Sequence, residues 1–191
     1  MKYILIILGA LILWAVFVYN GFVSLINRAK EAWADIEVQL KRRYDLIPNL
    51  VNTVKGSKNF EQETLTRVVE ARAKATSIQI DPNKLDASTM QKISASQTEL
   101  SSALGRLLVV SEQYPDLKSN QNFLALQNEL SDTENKIQAA RRFYNGNVRD
   151  LNIKIESFPS NILAKIFNFS KKEFFDLADN DVAQNPVEVK F

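Results

Sequence analysis

Residues Tyr3–Tyr19 read YILIILGALILWAVFVY, and no charged side chain follows until Arg28. At a rise of about 1.5 Å per residue, this run and its uncharged continuation to Asn27 cross the roughly 30 Å hydrocarbon layer of a bilayer as a helix. Two milder readings compete, a cleaved signal peptide and the buried core helix of a soluble protein. The run exceeds a signal core of about 7–15 residues, and the nearest small-x-small triplet, Ala32-Trp33-Ala34, lies beyond Arg28, Lys30 and Glu31. The expectation is an uncleaved anchor over residues 1–27, with Trp14 in mid-span. A lipoprotein form is excluded because the chain has no Cys.

Beyond the anchor, apolar residues recur at spacings of three and four. Ala29, Trp33, Ile36, Leu40, Tyr44, Ile47, Val51 and Val54 form one stripe, so the membrane helix is expected to run into the domain without a loop. Pro48 predicts a kink near Tyr44 rather than an end, and Gly56 predicts the terminus. A second helix is expected from Asn59 or Phe60 to Thr76, with Leu65, Val68, Val69, Arg72 and Ala75 on one side. Ser77–Ala87 reads as a loop, with Asp86 or Ser88 as the next N-cap.

A third helix carries Met90, Ile93, Gln97, Leu100, Leu104, Leu107, Ser111 and Tyr114 in heptad register until Pro115 stops it. A fourth runs from about Asn120 to Ser157 on Phe123, Leu126, Leu130, Thr133, Ile137, Tyr144, Val148, Leu151 and Ile155, with Gly146 its weakest turn. The fold class is therefore all-α: an N-terminal transmembrane helix continuing into an antiparallel bundle of about four long helices over residues 28–158. Residues 159–175 read as a short basic amphipathic segment, which either docks on the bundle or lies on the membrane surface. Residues 176–191 are acidic and Asn-rich, and read as a disordered tail.

Composition removes whole classes of chemistry. Without Cys or His there is no thiol nucleophile, disulfide, imidazole base or Cys/His zinc site, and no cofactor is expected. Asp35, Asp45, Glu112, Asp116, Glu129 and Glu134 supply carboxylates, but they fall beside or opposite the apolar stripes, where a four-helix metal site needs them inward. No catalytic residue is assigned. A formal net charge of +2 with alternating signs argues against nucleic acid.

Lys41-Arg42-Arg43, the one basic triplet, reads as a solvated face or as a membrane-proximal contact with anionic lipid. Glu134, Arg141 and Arg142, with Asn135, Gln138 and Asn145, form a polar patch read as an inter-helix network or a partner-binding face. The helix-packing stripe is represented by Trp33, Ile36, Leu40, Ile47, Leu104, Leu107, Leu130 and Ile137. That stripe, with Leu108, Val109 and Val110 beside it, exceeds one bundle face and predicts contacts between copies. Arg28, Lys30 and Lys41–Arg43 outnumber Lys2, which leans toward a cytoplasmic domain.

Several long motifs carry a resemblance: AWADIEVQLKRRYDLIPNLVNTVKG at Ala32–Gly56, EARAKA at Glu70–Ala75, LLVVSEQYPDLKSNQNFLALQNELSDTENKIQAARRFYN at Leu107–Asn145 and FPSNILAKIF at Phe158–Phe167. With them the chain resembles the LemA family of bacterial membrane proteins from residue 1 to about 170. The resemblance implies one membrane helix, an antiparallel helical bundle and the bacterial inner membrane. It supplies no catalytic residue or cofactor. Relatives are linked to membrane metalloprotease systems, envelope stress and organelle membranes of magnetic bacteria. The expected function is a self-associating scaffold or adaptor whose partners are the bilayer, other copies and envelope proteins such as a membrane metalloprotease. The alternative is a lipid-binding or membrane-remodelling module using the basic triplet and the C-terminal amphipathic segment.

Overall fold

The computed structural model describes residues 1–57, 60–82 and 85–176. Six helices and no strand occur among them: α1 (Lys2–Lys55), α2 (Gln62–Ser77), α3 (Ala87–Ser111), α4 (Pro115–Lys118), α5 (Gln121–Glu156) and α6 (Ser160–Ile166). The expected tail lies outside the described residues beyond Asp176.

The anchor and the first bundle stripe are one helix of 54 residues, α1, with Pro48 inside it. Its apolar half is almost uncovered by the rest of the chain, which distinguishes it from the core helix of a soluble protein. Tyr3–Leu8 and Leu11–Leu13 are all more than half exposed. The eight representative stripe residues, Trp33, Ile36, Leu40, Ile47, Leu104, Leu107, Leu130 and Ile137, are buried, while Tyr44, Tyr114 and Leu126 on the same stripes are half-buried.

Two compact units can be distinguished, and both long helices contribute to each. The first comprises Met1–Arg43, Asp81–Asp86 and Ser131–Phe174. Within it α1 and α5 run antiparallel: Arg43 meets Glu134, Trp33 meets Tyr144, and Phe22 lies near Leu151. Trp33 is fully buried, its ring edge-on to Tyr144 at 5.3 Å and its Nε1–H donating to Glu37 Oε1 at 2.8 Å. It is a core residue, with its one polar group satisfied.

The second unit comprises Tyr44–Ile80, Ala87–Leu130 and the chain from Phe175. Its core is aliphatic, built on Ile47, Leu50 and Val54 of α1, Leu65 and Val68 of α2, and Leu100, Leu104 and Leu107 of α3. Pro48 shapes this unit through the atom it lacks. With no N–H at Pro48, the Tyr44 carbonyl loses its intrahelical donor. Arg72 Nε–H from α2 takes that place at 2.8 Å, and Gln97 from α3 donates Nε2–H to the Tyr44 hydroxyl at 2.5 Å. The helix therefore continues through the proline, and the freed carbonyl becomes a tertiary contact.

Two local expectations shift, and the fourth helix starts where expected. Val69 is exposed, because α2 buries Thr64, Leu65, Val68, Ala71 and Ala75 instead, a stripe whose small residues admit close packing. The third helix ends at Ser111, short of Pro115, and Pro115 opens the single turn α4, where its missing N–H costs nothing. At the start of α5, Asn120 Oδ1 accepts the backbone N–H groups of Asn122 and Phe123 at 2.9 and 3.2 Å, an N-cap.

Candidate functional site

The chemistry-bearing residues singled out from sequence fall into two groups. Arg43 is buried and pairs through Nη1 with Glu134 Oε2 at 3.2 Å, so two members of the candidate interaction surface are joined to each other. Lys41, Arg42 and Arg142 are exposed and Arg141 is half-buried. Arg42 and Lys136 both lie near Asp132, whose carboxyl is held below its usual value chiefly by the hydrogen bond from Lys136, against a smaller opposing effect of burial. Of the polar patch on α5, Glu134 thus serves α1–α5 pairing, and Arg142 is exposed.

The basic triplet lies on α1 beyond the apolar run. Lys41 follows Arg28 by thirteen residues of uninterrupted helix, about 20 Å along the axis and more than two Debye lengths at physiological salt. Of the carboxylates considered for a metal, Asp35, Asp45, Glu112, Asp116 and Glu129 are exposed. Among the described residues no three metal-ligating side chains converge.

A more built site lies where the chain returns to the apolar half of α1. After α5 it reverses at Ser157, forms α6, and turns again at Asn168. Leu163 and Ala164 of α6 pack with Val18 and Phe22 of α1 and Leu151 of α5. Phe167 sits edge-on to Tyr19 at 4.9 Å, and Phe169 lies 5.6 Å from Tyr19 and 4.8 Å from Phe22, ring centre to centre. Aromatic pairs in this range add about 0.5–1.5 kcal/mol each beyond area burial.

The turn after α6 is fully hydrogen-bonded. Phe169 N–H donates to the Ala164 carbonyl at 2.9 Å and Asn168 N–H to the Lys165 carbonyl at 3.4 Å, with Asn168 at φ 55°. This is a Schellman closure, and Asn is one of the few residues besides Gly that adopts the left-handed conformation readily. The returning strand is pinned by Asn152, whose Nδ2–H donates to the Lys172 carbonyl at 2.9 Å and whose Oδ1 accepts the Lys172 N–H at 3.0 Å. Tyr144 Oη–H donates to the Glu173 carbonyl at 3.0 Å.

Cations collect on this return. Lys154 Nζ lies 5.1 Å from the Phe22 ring centre and against Gly21, whose missing Cβ leaves room for it. Burial lowers the Lys154 and Lys172 ammonium pKa values, with Lys30 adding to the effect at Lys172. Lys171 pairs with Glu156. Burial, then the Glu173 carboxylate, raises the Tyr144 hydroxyl above its ordinary value.

Concavities among the described residues include two of note. One, about 360 Å³ and almost entirely apolar, is lined by Ile12, Ala15, Val16, Tyr19 and Phe167. The other, about 500 Å³, is a charged groove between α2 and α3 bounded by Arg67, Glu70, Glu99, Ser102 and Arg106.

Sequence reasoning missed Tyr19, Phe22 and Lys154 as a unit with Phe167 and Phe169. The legible signal was Phe158, Ile162 and Ile166 at every fourth position, out of register with Leu163 and Ala164, so the segment carries two apolar faces. One docks on the chain, and the other points outward.

A long uncovered apolar helix, an aromatic return segment packed on it and a bundle built on the same helix define a membrane-associated helical protein. The LemA family model matches residues 32–191, and the chain belongs to the LemA family. It is 30% identical to protein LemA of Metamycoplasma hominis over 156 residues, covering 80% of this chain and 66% of that protein. It is 25% identical to the magnetosome protein MamQ of Magnetospirillum gryphiswaldense over 174 residues, covering 82% and 64%. A second magnetosome relative, MamQ 2 of Paramagnetospirillum magneticum, is 26% identical over the same share of both chains. The matches span just under two thirds of each relative's length.

Proposed function

We propose that the chain is a membrane-anchored helical scaffold of the bacterial cell envelope, non-catalytic, self-associating, and presenting its bundle to other envelope proteins. The observation that carries this reading is the continuity of α1 from its apolar half into both packed units. Cleavage of the apolar half would strip away Val18 and Phe22, on which Leu151 and Leu163 pack, so the anchor is part of the fold. A loopless anchor holds the bundle at a set orientation, which suits a protein whose product is geometry.

Further support comes from where the ionic groups are used. Arg43 and Glu134 are engaged in helix pairing, while Arg142 stands exposed on α5 toward a partner's acidic residues. Phe143 and Ile153, each more than half exposed on the first unit outside the apolar run, supply apolar surface for a second copy. A membrane metalloprotease is the partner class suggested by family resemblance. The cations Arg28 and Lys30 after the apolar run favour a cytoplasmic domain.

The test is the mass of the full chain in lipid nanodiscs by light scattering. A defined multiple of 21.7 kDa supports the self-associating scaffold. A strict monomer at high concentration overturns self-association and reassigns the exposed surface to a different protein.

A further inference from the structure

We infer that residues 157–170 form a second membrane-embedded element, a hairpin seated in the domain-side leaflet with lipid acyl chains against Phe158, Ile162, Ile166 and Phe167. The inference rests on the reading of α1 as a bilayer-spanning helix.

The first argument is depth. Phe167 packs on Tyr19, nine residues and about 13 Å below Arg28 along α1, and the cleft it closes extends to Ile12, about 24 Å below. With Arg28 at the headgroups and an interfacial layer of about 6 Å, the Phe167 ring lies at hydrocarbon level. The cleft then opens toward the same layer, and its natural occupant is an acyl chain.

The second is the outward stripe. Phe158 is 81% exposed, Ile162 50% and Ile166 63%, while Leu163 and Ala164 on the opposite face are buried. In water that stripe would be an apolar patch with nothing to cover it. Beside the apolar half of α1, the covering phase is the bilayer that already surrounds Ile4–Leu13. The third is backbone satisfaction. Unpaired N–H and C=O groups are costly in hydrocarbon, and the hairpin tip closes its own through the Schellman bonds at Asn168 and Phe169. Lys165, exposed on α6, has a stem long enough to snorkel its ammonium back to lipid phosphates.

The chain contains no Cys, so single nitroxide labels are unambiguous. In full-length protein reconstituted in phosphatidylcholine–phosphatidylglycerol vesicles, labels at Ile162→Cys and Ile166→Cys are compared with Leu13→Cys in the span and Val38→Cys on the domain. Collision with oxygen, which concentrates in hydrocarbon, is measured against collision with a water-soluble nickel chelate. The expected result is a several-fold preference for oxygen at 13, 162 and 166, and for nickel at 38. Nickel preference at 162 and 166 with oxygen preference at 13 overturns the hairpin alone. Nickel preference at 13 as well overturns the anchor reading. Labels at 162 and 166 that are immobile and shielded from both reagents also overturn the inference, since a protein surface then covers the stripe.

Discussion

The two units are held together differently. The first is closed by rings, with Trp33 on Tyr144 and Tyr19 and Phe22 on Phe167 and Phe169, and it exposes large apolar side chains along α1 and α6. The second is closed mainly by Leu, Ile and Val, with Phe60 against Tyr114, and of its large apolar residues Val69, Val109 and Leu124 stand exposed. A unit surrounded by water must place its apolar surface inside. A unit that meets a bilayer needs it on both sides, and amphipathic rings such as Tyr and Trp suit that boundary.

The sharpest way to break this contrast is to remove one anchor from each unit. Trp33→Ala is expected to cost about 3–5 kcal/mol and Leu50→Ala about 2–5 kcal/mol, both measured by denaturant unfolding of the full chain in nanodiscs. Equal sensitivity of the two variants to bilayer composition would erase the distinction. The expectation is that Trp33→Ala, in the unit that meets lipid, varies more.

A smaller effect isolates the proline contact of the second unit. Arg72→Ala should cost about 1–2 kcal/mol by leaving the Tyr44 carbonyl without its donor. Pro48→Ala restores an N–H at that position, so in the double variant the Arg72 loss should shrink by about 1 kcal/mol. Strict additivity in that cycle would show that Arg72 acts through packing alone.

The smallest effect concerns pH. Tyr144 has a raised folded pKa, so its stabilising contribution is complete below its unfolded value near 10 and is lost as pH climbs through the folded value. Tyr144→Phe should cost about 1 kcal/mol at neutral pH and flatten the alkaline fall in stability. An unchanged alkaline limb would assign that fall to other groups.

Much of this was legible in sequence because periodicity and burial report the same physics. The stripe from Trp33 to Ile137 needed only the helical repeat, and the uninterrupted α1 followed from the absence of any loop signal before Gly56. Val69 misled because α2 packs through Thr64 and Ala71, and small residues carry little weight in a hydrophobic count. Arg43 looked like surface because a charge triplet does not announce that one member turns inward to a carboxylate 91 positions away. The aromatic partners of the return could not be read. Tyr19 and Phe169 are 150 residues apart, and inside an apolar run a ring that faces protein is indistinguishable from one that faces lipid.

The missing loop between anchor and domain also makes α1 a lever. A joint would absorb a change of tilt, but a continuous helix transmits it. A change of about 10° in the spanning half, well within the range by which membrane helices answer bilayer thickness, displaces Arg43 sideways by about 4 Å relative to Arg28. Any change of tilt in the apolar half is thereby carried into the domain without an intervening joint.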